Sequence, residues 1–242
     1  MESKKALCGE IRIESVPTTR AVERWRQLRA QTEKSGIYPL LLGPPVDAFG
    51  QVEDLEFIEL GESGPWTHQD VMAKATPEAA AEFLAERKRE SAEMAEEGIE
   101  YPERGEWPDE PGQMTDPDDF LVLLNPEGEP VESLLLAHVP ARSGAEAIGA
   151  IAYGAWNDCP MPWIHVAYVK QWQETFGAEL VVCSNDTLEF TVSRPPTTRE
   201  AAVELALEHF WYCADIVDQG TETIERLANE LLDAPRWFFW WD

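Results

Sequence analysis

The stretch Arg236-Trp237-Phe238-Phe239-Trp240-Trp241-Asp242 sets the tightest limit on what this chain can fold into. Five consecutive large aromatics fall far short of the roughly 20 apolar residues that cross a bilayer as a helix. In an extended chain Trp237, Phe239 and Trp241 point one way and Phe238 and Trp240 the other. A strand with one wet face alternates apolar with polar residues, and this run does not. The sequence therefore predicts a strand covered on both sides, like an interior strand of an α/β layer, in preference to an exposed adhesive patch. The expected fold is α/β, with α+β as its variant: a mixed sheet with helices packed on it and the aromatic strand buried in the sheet.

The rest of the 242-residue chain can supply that cover. It is 44% hydrophobic and 27% charged, ordinary proportions for a folded protein. Seven of the ten tryptophans lie after residue 150, so the aromatic mass is C-terminal. Charge is less ordinary, at −27 overall. Residues 1–50 carry 8 basic and 6 acidic groups, 51–150 carry 6 and 25, and 151–242 carry 5 and 15. A surface this negative repels phosphate backbones and anionic headgroups, which argues against nucleic acid and membranes as partners. It suits a basic protein partner, cations, or solubility alone. The opening MESKKALCGE has no apolar core of signal-peptide length. Cys8, Cys159, Cys183 and Cys213 are widely spaced without a CxxC pair, the pattern of reduced thiols in a cytoplasmic protein.

Periodicity predicts a helix over 19–35 stopped by Gly36, a buried strand over 37–43 ending at Pro44-Pro45, and a weaker strand over 54–60. A long helix follows over 77–97, capped by Thr76 and ended by Gly98. Residues 98–119, rich in proline, glycine and acid, read as a loop or linker between an N-terminal α/β region (1–97) and a C-terminal α/β domain (120–242). The two could also form one unit. The acids at 116–119 lack the ligand spacing of an EF-hand. Strands are expected over 120–124 and 131–139 around the turn Asn125–Gly128, and over 147–154. A helix over 162–176 ends at Gly177, and a hairpin turns at Asn185-Asp186. Thr197 and Glu200 have capping-box spacing for the next helix, whose wet side is Glu200, Glu204 and Glu208. A last helix over 221–232 precedes the aromatic strand.

Four segments carry a resemblance: YGAWNDCP, WQETFGAELV, LEFTVSRPPTTREAAVELALEHFWYCADIVDQGTETIERLA and WFFWWD. Together, over about 150–242, they resemble the bacterial domain of unknown function 4253 family. VERWRQLRAQTEKSGIYPLLLG near the start is similar to the N-terminal part of such proteins, less specifically. The chain departs from the family pattern at Ala214, where proline is more frequent, and at Phe238, where tyrosine is. The resemblance implies a cytoplasmic bacterial protein and no particular activity.

Three constellations could carry chemistry. In Trp156-Asn157-Asp158-Cys159-Pro160, Cys159 stands just before a helix start, where the helix dipole can lower a thiol pKa and make a nucleophile, given a base such as His165 or His209. The bland alternative is helix capping by Asn157 and Asp158 around a packed Cys159. In Cys213–Gly220, Asp215, Asp218 and Gln219 sit between two helices, suited to a cation, to acid–base work, or to helix capping. The third is Asp242, with Arg236, Arg199 or Arg194 as possible counter-charges. If these three meet, they make an aromatic-walled acidic pocket. No phosphate loop, nucleophile elbow or zinc motif occurs, and no cofactor or metal is expected. Two functional classes follow: a non-catalytic binding protein with an acidic surface, of immunity or antitoxin type, or a small-molecule or metal-binding enzyme using that pocket.

Overall fold

The computed structural model describes residues 2–7, 9–45, 66–96, 98, 101–112 and 116–242. The predicted strand over 54–60 and Cys8 lie outside the described residues. Among the described residues seven strands form one mixed sheet: β1 (Glu2–Ala6), β2 (Gly9–Pro17), β3 (Ile37–Gly43), β4 (Ser133–Pro140), β5 (Ala178–Cys183), β6 (Thr187–Val192) and β7 (Arg236–Trp240). Their spatial order is β1-β2-β4-β3-β5-β6-β7. Neighbours run antiparallel except β3 and β5, which run parallel and meet at Leu41 and Val182. β4 is inserted between β2 and β3, so segments from both ends of the chain share the sheet. The helices are α1 (Thr18–Arg29), α2 (Thr32–Ser35), α3 (His68–Lys74), α4 (Pro77–Glu96), α5 (Gly144–Ala150), α6 (Pro162–Phe176), α7 (Arg199–Tyr212) and α8 (Ile224–Leu231). The α/β class expected from the sequence is the class found.

One face of the sheet carries the main core. There α5, α6, α7 and α8 bury Ile148, Val166, Trp172, Phe210 and Leu227 against Leu40, Leu180, Phe190 and Phe239. The other face is covered by α1 and the segment 116–131, which bring Trp25 and Phe120 over Leu41, Leu134, Leu136 and Val182. The strand 37–43 is central and buried on both faces from Tyr38 onward, as a run without alternation requires. α6 begins at Pro162 and stops at Gly177, whose φ of 61° is the left-handed conformation that closes a helix.

Four local expectations are corrected. Residues 147–154 are not a strand: Ser143 caps α5 by accepting the Glu146 N–H at 3.2 Å. Alanine is a strong helix former, and a short, wholly buried run shows no period that separates the two states. The small residues serve packing, since a Cβ on Gly149 would lie 2.9 Å from Val166 Cγ2. Residues 121–123 form a 3-10 turn instead of a strand, and the hairpin around Asn125–Gly128 shrinks to one bridge between Leu124 and Pro130. The cap of α7 is Thr198, which accepts the Ala201 N–H at 3.2 Å, one residue beyond the predicted Thr197. Glu208 is half-buried instead of wet, because its carboxylate accepts the Trp172 indole N–H at 2.6 Å.

The aromatic strand buries one face completely: Trp237, Phe239 and Trp241 are inside the main core. Phe238 and Trp240, on the second face, are half-buried. β7 is an edge strand, not the interior strand the lack of alternation suggested. Its outer edge is closed in part by the Cys213 thiol, which donates to the Trp240 carbonyl at 2.9 Å.

Candidate functional site

The three predicted constellations come together. The turn 156–159 closes through the Cys159 N–H on the Trp156 carbonyl at 2.8 Å. It presents Asn157, whose side-chain amide donates to the Asp242 main-chain oxygen at 2.6 Å. The Asp242 N–H donates to Asp215 Oδ2 at 3.0 Å, and Gln219 donates to Asp215 Oδ1 at 3.1 Å. Asn157, Asp242, Asp215 and Gln219 thus form one hydrogen-bonded chain across segments far apart in sequence. Ala152, Ala155 and Asn157 hold positive φ values of 51°, 74° and 44°, backbone that only well-fixed surroundings maintain. The capping alternative does not hold for this turn: the residue that precedes α6 is Met161, without a side-chain cap. Asp158 is exposed, and its carbonyl accepts from Arg87 at 3.1 Å. Asp218 accepts the Tyr101 hydroxyl at 2.7 Å.

Beneath the chain lies a buried polar line. Cys159 Sγ is 3.4 Å from His165 Nε2, and His165 Nδ1 meets the Tyr212 hydroxyl in a short hydrogen bond. Tyr153, Tyr212 and Trp241 present ring edges to His165 at centroid distances of 5.1, 5.4 and 5.4 Å, and Trp156 packs edge-on to Tyr153 at 4.9 Å. Gly154, with φ of 110°, allows the close approach: a Cβ there would be 2.6 Å from His165 Nε2 and 2.1 Å from the Pro160 carbonyl oxygen. The Tyr153 hydroxyl and the Trp241 indole N–H are buried without protein partners. Burial dominates the electrostatics here. It pushes the Cys159 thiol well above its ordinary pKa and the His165 imidazole down to about 3. Of the two bases the sequence offered for Cys159, His165 is the one beside it, and the pair stands as neutral thiol and neutral imidazole.

The acidic surface opens separately. A cleft of about 800 Å³ is lined by Tyr101, Glu103, Glu106, Asp218, Glu222 and Arg226, among others. Of the predicted site residues only Asp218 reaches it; Trp156, Asn157, Cys159 and Asp242 do not line it. The aromatic wall and the acidic opening, expected as one pocket, are two features. The expected counter-charges of Asp242 are engaged elsewhere. Arg236 faces Glu189, Arg199 lies 4.7 Å over the Trp107 ring, and Arg194 donates to the Glu174 carbonyl at 2.7 Å. Among the described residues no group of three or more His, Cys, Asp or Glu side chains is placed to hold a metal ion.

Sequence reasoning missed Tyr101, Arg87, Tyr212 and Glu189. Tyr101 lay in a segment read as linker, yet residues 101–110 are pinned to α8 and its cap: the Gly105 N–H donates to Glu225 at 2.7 Å, and Ile224 donates to the Glu103 carbonyl at 3.0 Å. Tyr212 was legible in part, because it lies two turns beyond Leu205 on the dry side of α7.

Sheet and cluster define an α/β protein whose mixed sheet, among the described residues, ends at an aromatic strand tied at its tip to two loops. Residues 135–242 match the family described as Domain of unknown function (DUF4253). The matched residues run from β4 through β7 and hold the whole Asn157–Asp242–Asp215–Gln219 chain; the similarity noted over 22–43 lies outside them. Neither a curated protein nor a solved structure matches the chain. No helix among the described residues is long and apolar enough to cross a membrane.

Proposed function

We propose that this protein is a non-catalytic binding protein whose acidic surface receives a basic protein partner, in the manner of an immunity protein or antitoxin. The observation that carries the reading is the cleft beside Tyr101, where Glu103, Glu106, Asp218 and Glu222 face one opening and the cation lining it, Arg226, is already paired with Glu222. The net charge of the chain, −27, would steer a cationic partner towards an acidic opening and make association fast and salt-dependent. The reading is supported further by what the polar loop residues do: Asn157, Asp215, Gln219 and Asp242 bind one another.

A second reading, a thiol enzyme, has the Cys159–His165–Tyr212 line in its favour. Burial of both reacting groups in their neutral forms counts against it.

The test of the first reading is capture of basic proteins on the immobilised full chain at low and high ionic strength, beside a variant with Glu103, Glu106 and Glu222 changed to Lys. Capture that weakens with salt and disappears in the variant supports it. No capture at low salt, or capture indifferent to the reversal, overturns it.

A further inference from the structure

The strap 116–131, which covers the second face of the sheet, also walls a cavity of about 780 Å³ against β7. Leu121, Val122 and Leu124 line it from the strap, and Phe238 and Trp240 from the strand. Leu121 is 45% exposed and both rings are half-buried, so this apolar lining is open to solvent. The volume falls within the range of roughly 300–1,000 Å³ that small-molecule sites occupy.

Both walls are fixed before any ligand arrives. Glu189, wholly buried on β6, accepts the Leu121 and Val122 N–H groups, both at 2.9 Å, and Arg236 of β7 lies 3.5 Å from the same carboxyl group. Further along the strap Asn125 Oδ1 accepts the Glu127 and Glu129 N–H groups at 3.1 and 2.8 Å, which closes the turn. Opposite, the Trp240 indole donates to Asp186 Oδ2 at 3.1 Å and is held in place by it. A preformed site loses little affinity to ordering its walls.

The lining also sets the charge of what can enter. No Lys, Arg or His stands among the described lining residues, so an anion would meet no counter-charge. The one carboxylate there, Asp186, is hydrogen-bonded at both oxygens, Oδ1 taking the Thr187 hydroxyl at 3.0 Å. Ser184 and Asn185, in the turn between β5 and β6, add an uncharged hydroxyl and an uncharged amide. We propose that this cavity binds an uncharged small molecule with a flat aromatic body and one polar end. The body lies between the strap and the rings of Phe238 and Trp240, and the polar end meets Ser184 and Asn185. The cavity shares no lining residue with the acidic cleft beside Tyr101, so this ligand and a basic partner occupy separate places.

Titration of the full chain with naphthol at neutral pH, followed by NMR at the Trp240 indole N–H and the Leu121 and Leu124 amides, tests this. Saturable shifts with a dissociation constant of about 1 mM or below are expected for a probe of this size. Two charged relatives, naphthalenesulfonate and naphthylmethylammonium, should bind at these resonances about tenfold more weakly or worse. Leu121→Asp brings a charge to the open side of the cavity, leaves the main-chain bonds to Glu189 in place, and should weaken naphthol binding by about tenfold. Met161→Asp, at an equally open apolar side chain that does not line the cavity, should leave it unchanged. Absence of saturable shifts up to the solubility of naphthol overturns the proposal, and so does a charged relative that binds as tightly. Wild-type affinity in Leu121→Asp, or equal weakening in Met161→Asp, overturns it as well.

Discussion

Trp172 of α6 and Phe239 of β7 stack face to face, ring centroids 5.1 Å apart and planes 4° from parallel. Phe190, His209, Tyr212 and Trp237 close around Trp172 with edge contacts between 4.9 and 5.8 Å. The aromatic run thus ends the chain as the inner wall of the main core. Replacing Phe239 by Ala removes a fully buried ring and leaves a cavity that the surrounding rings cannot fill. Denaturant unfolding is expected to show a loss of about 3–5 kcal/mol. Phe238→Ala, on the half-buried face, should cost roughly 1 kcal/mol, since less apolar area leaves water there. Equal losses for the two would mean that both faces are equally covered.

Cys159, Cys183 and Cys213 are all buried, and burial raises each thiol pKa. A thiolate is the reactive form, so native protein at neutral pH should leave these three unlabelled by a soluble alkylating reagent while unfolded protein reacts fully. Site-resolved mass spectrometry reads the result. Rapid labelling of Cys159 in the folded protein would revive the thiol-enzyme reading.

Much of this architecture was legible in the sequence, and the misses share a cause. Strands β3, β5 and β6 and helices α4 and α6 carry strong local signals: proline at the start, glycine at the stop, a clear period. The edge position of β7 was hidden because the cover on its second face comes from residues 121–131, distant in sequence. Residues 120–124 read as a strand because their apolar content is the same whether a neighbouring strand or Glu189 satisfies their amides. Glu189 itself sits in TLEFTV at a position that alternation assigns to solvent. The meeting of Asn157, Asp215 and Asp242 stood in the sequence only as a condition, since no spacing there says which loops flank the end of the last strand. Tyr101 and Arg87 could not be placed, since nothing in a segment without periodicity says what it packs against.

The Asn157–Asp242–Asp215 chain is cooperative by construction, because Asp242 is held from both sides. Asn157→Ala removes one neutral donor and should cost about 1 kcal/mol, and Asp215→Ala removes a charged acceptor of two bonds and should cost about 2. Each loss alone leaves Asp242 with one tether. In the double variant the second removal then costs less than it does alone, with an interaction of 0.5 kcal/mol or more expected from a double-mutant cycle, a magnitude typical of roughly contacting residues. Strict additivity would mean that Asp242 is fixed by something other than these two residues.

His165 and His209 are fully buried, and burial lowers both imidazoles to about 3, against 6.5 when exposed. Such a group is neutral in the fold and takes up a proton on unfolding. Its contribution is fully present above pH 6.5 and is lost as pH falls towards 3, at roughly 1 kcal/mol per pH unit for each histidine. Glu189 works the other way: its raised pKa contributes stability that is fully present below 4.5 and lost as pH rises through 7. Between pH 6 and 5 the two histidines oppose Glu189 and Glu208, whose pKa burial also raises, so wild-type stability should fall on acidification, by about 1 kcal/mol or less. Glu189→Gln removes one opposing group and should fall more steeply over the same interval. Urea midpoints at pH 7, 6 and 5 for both proteins measure the two slopes. A wild-type midpoint that holds or rises between pH 6 and 5 would show that the two histidines are not both neutral inside the fold, and repeating the titration in His209→Gln would tell whether the charge sits in the buried Cys159–His165–Tyr212 line.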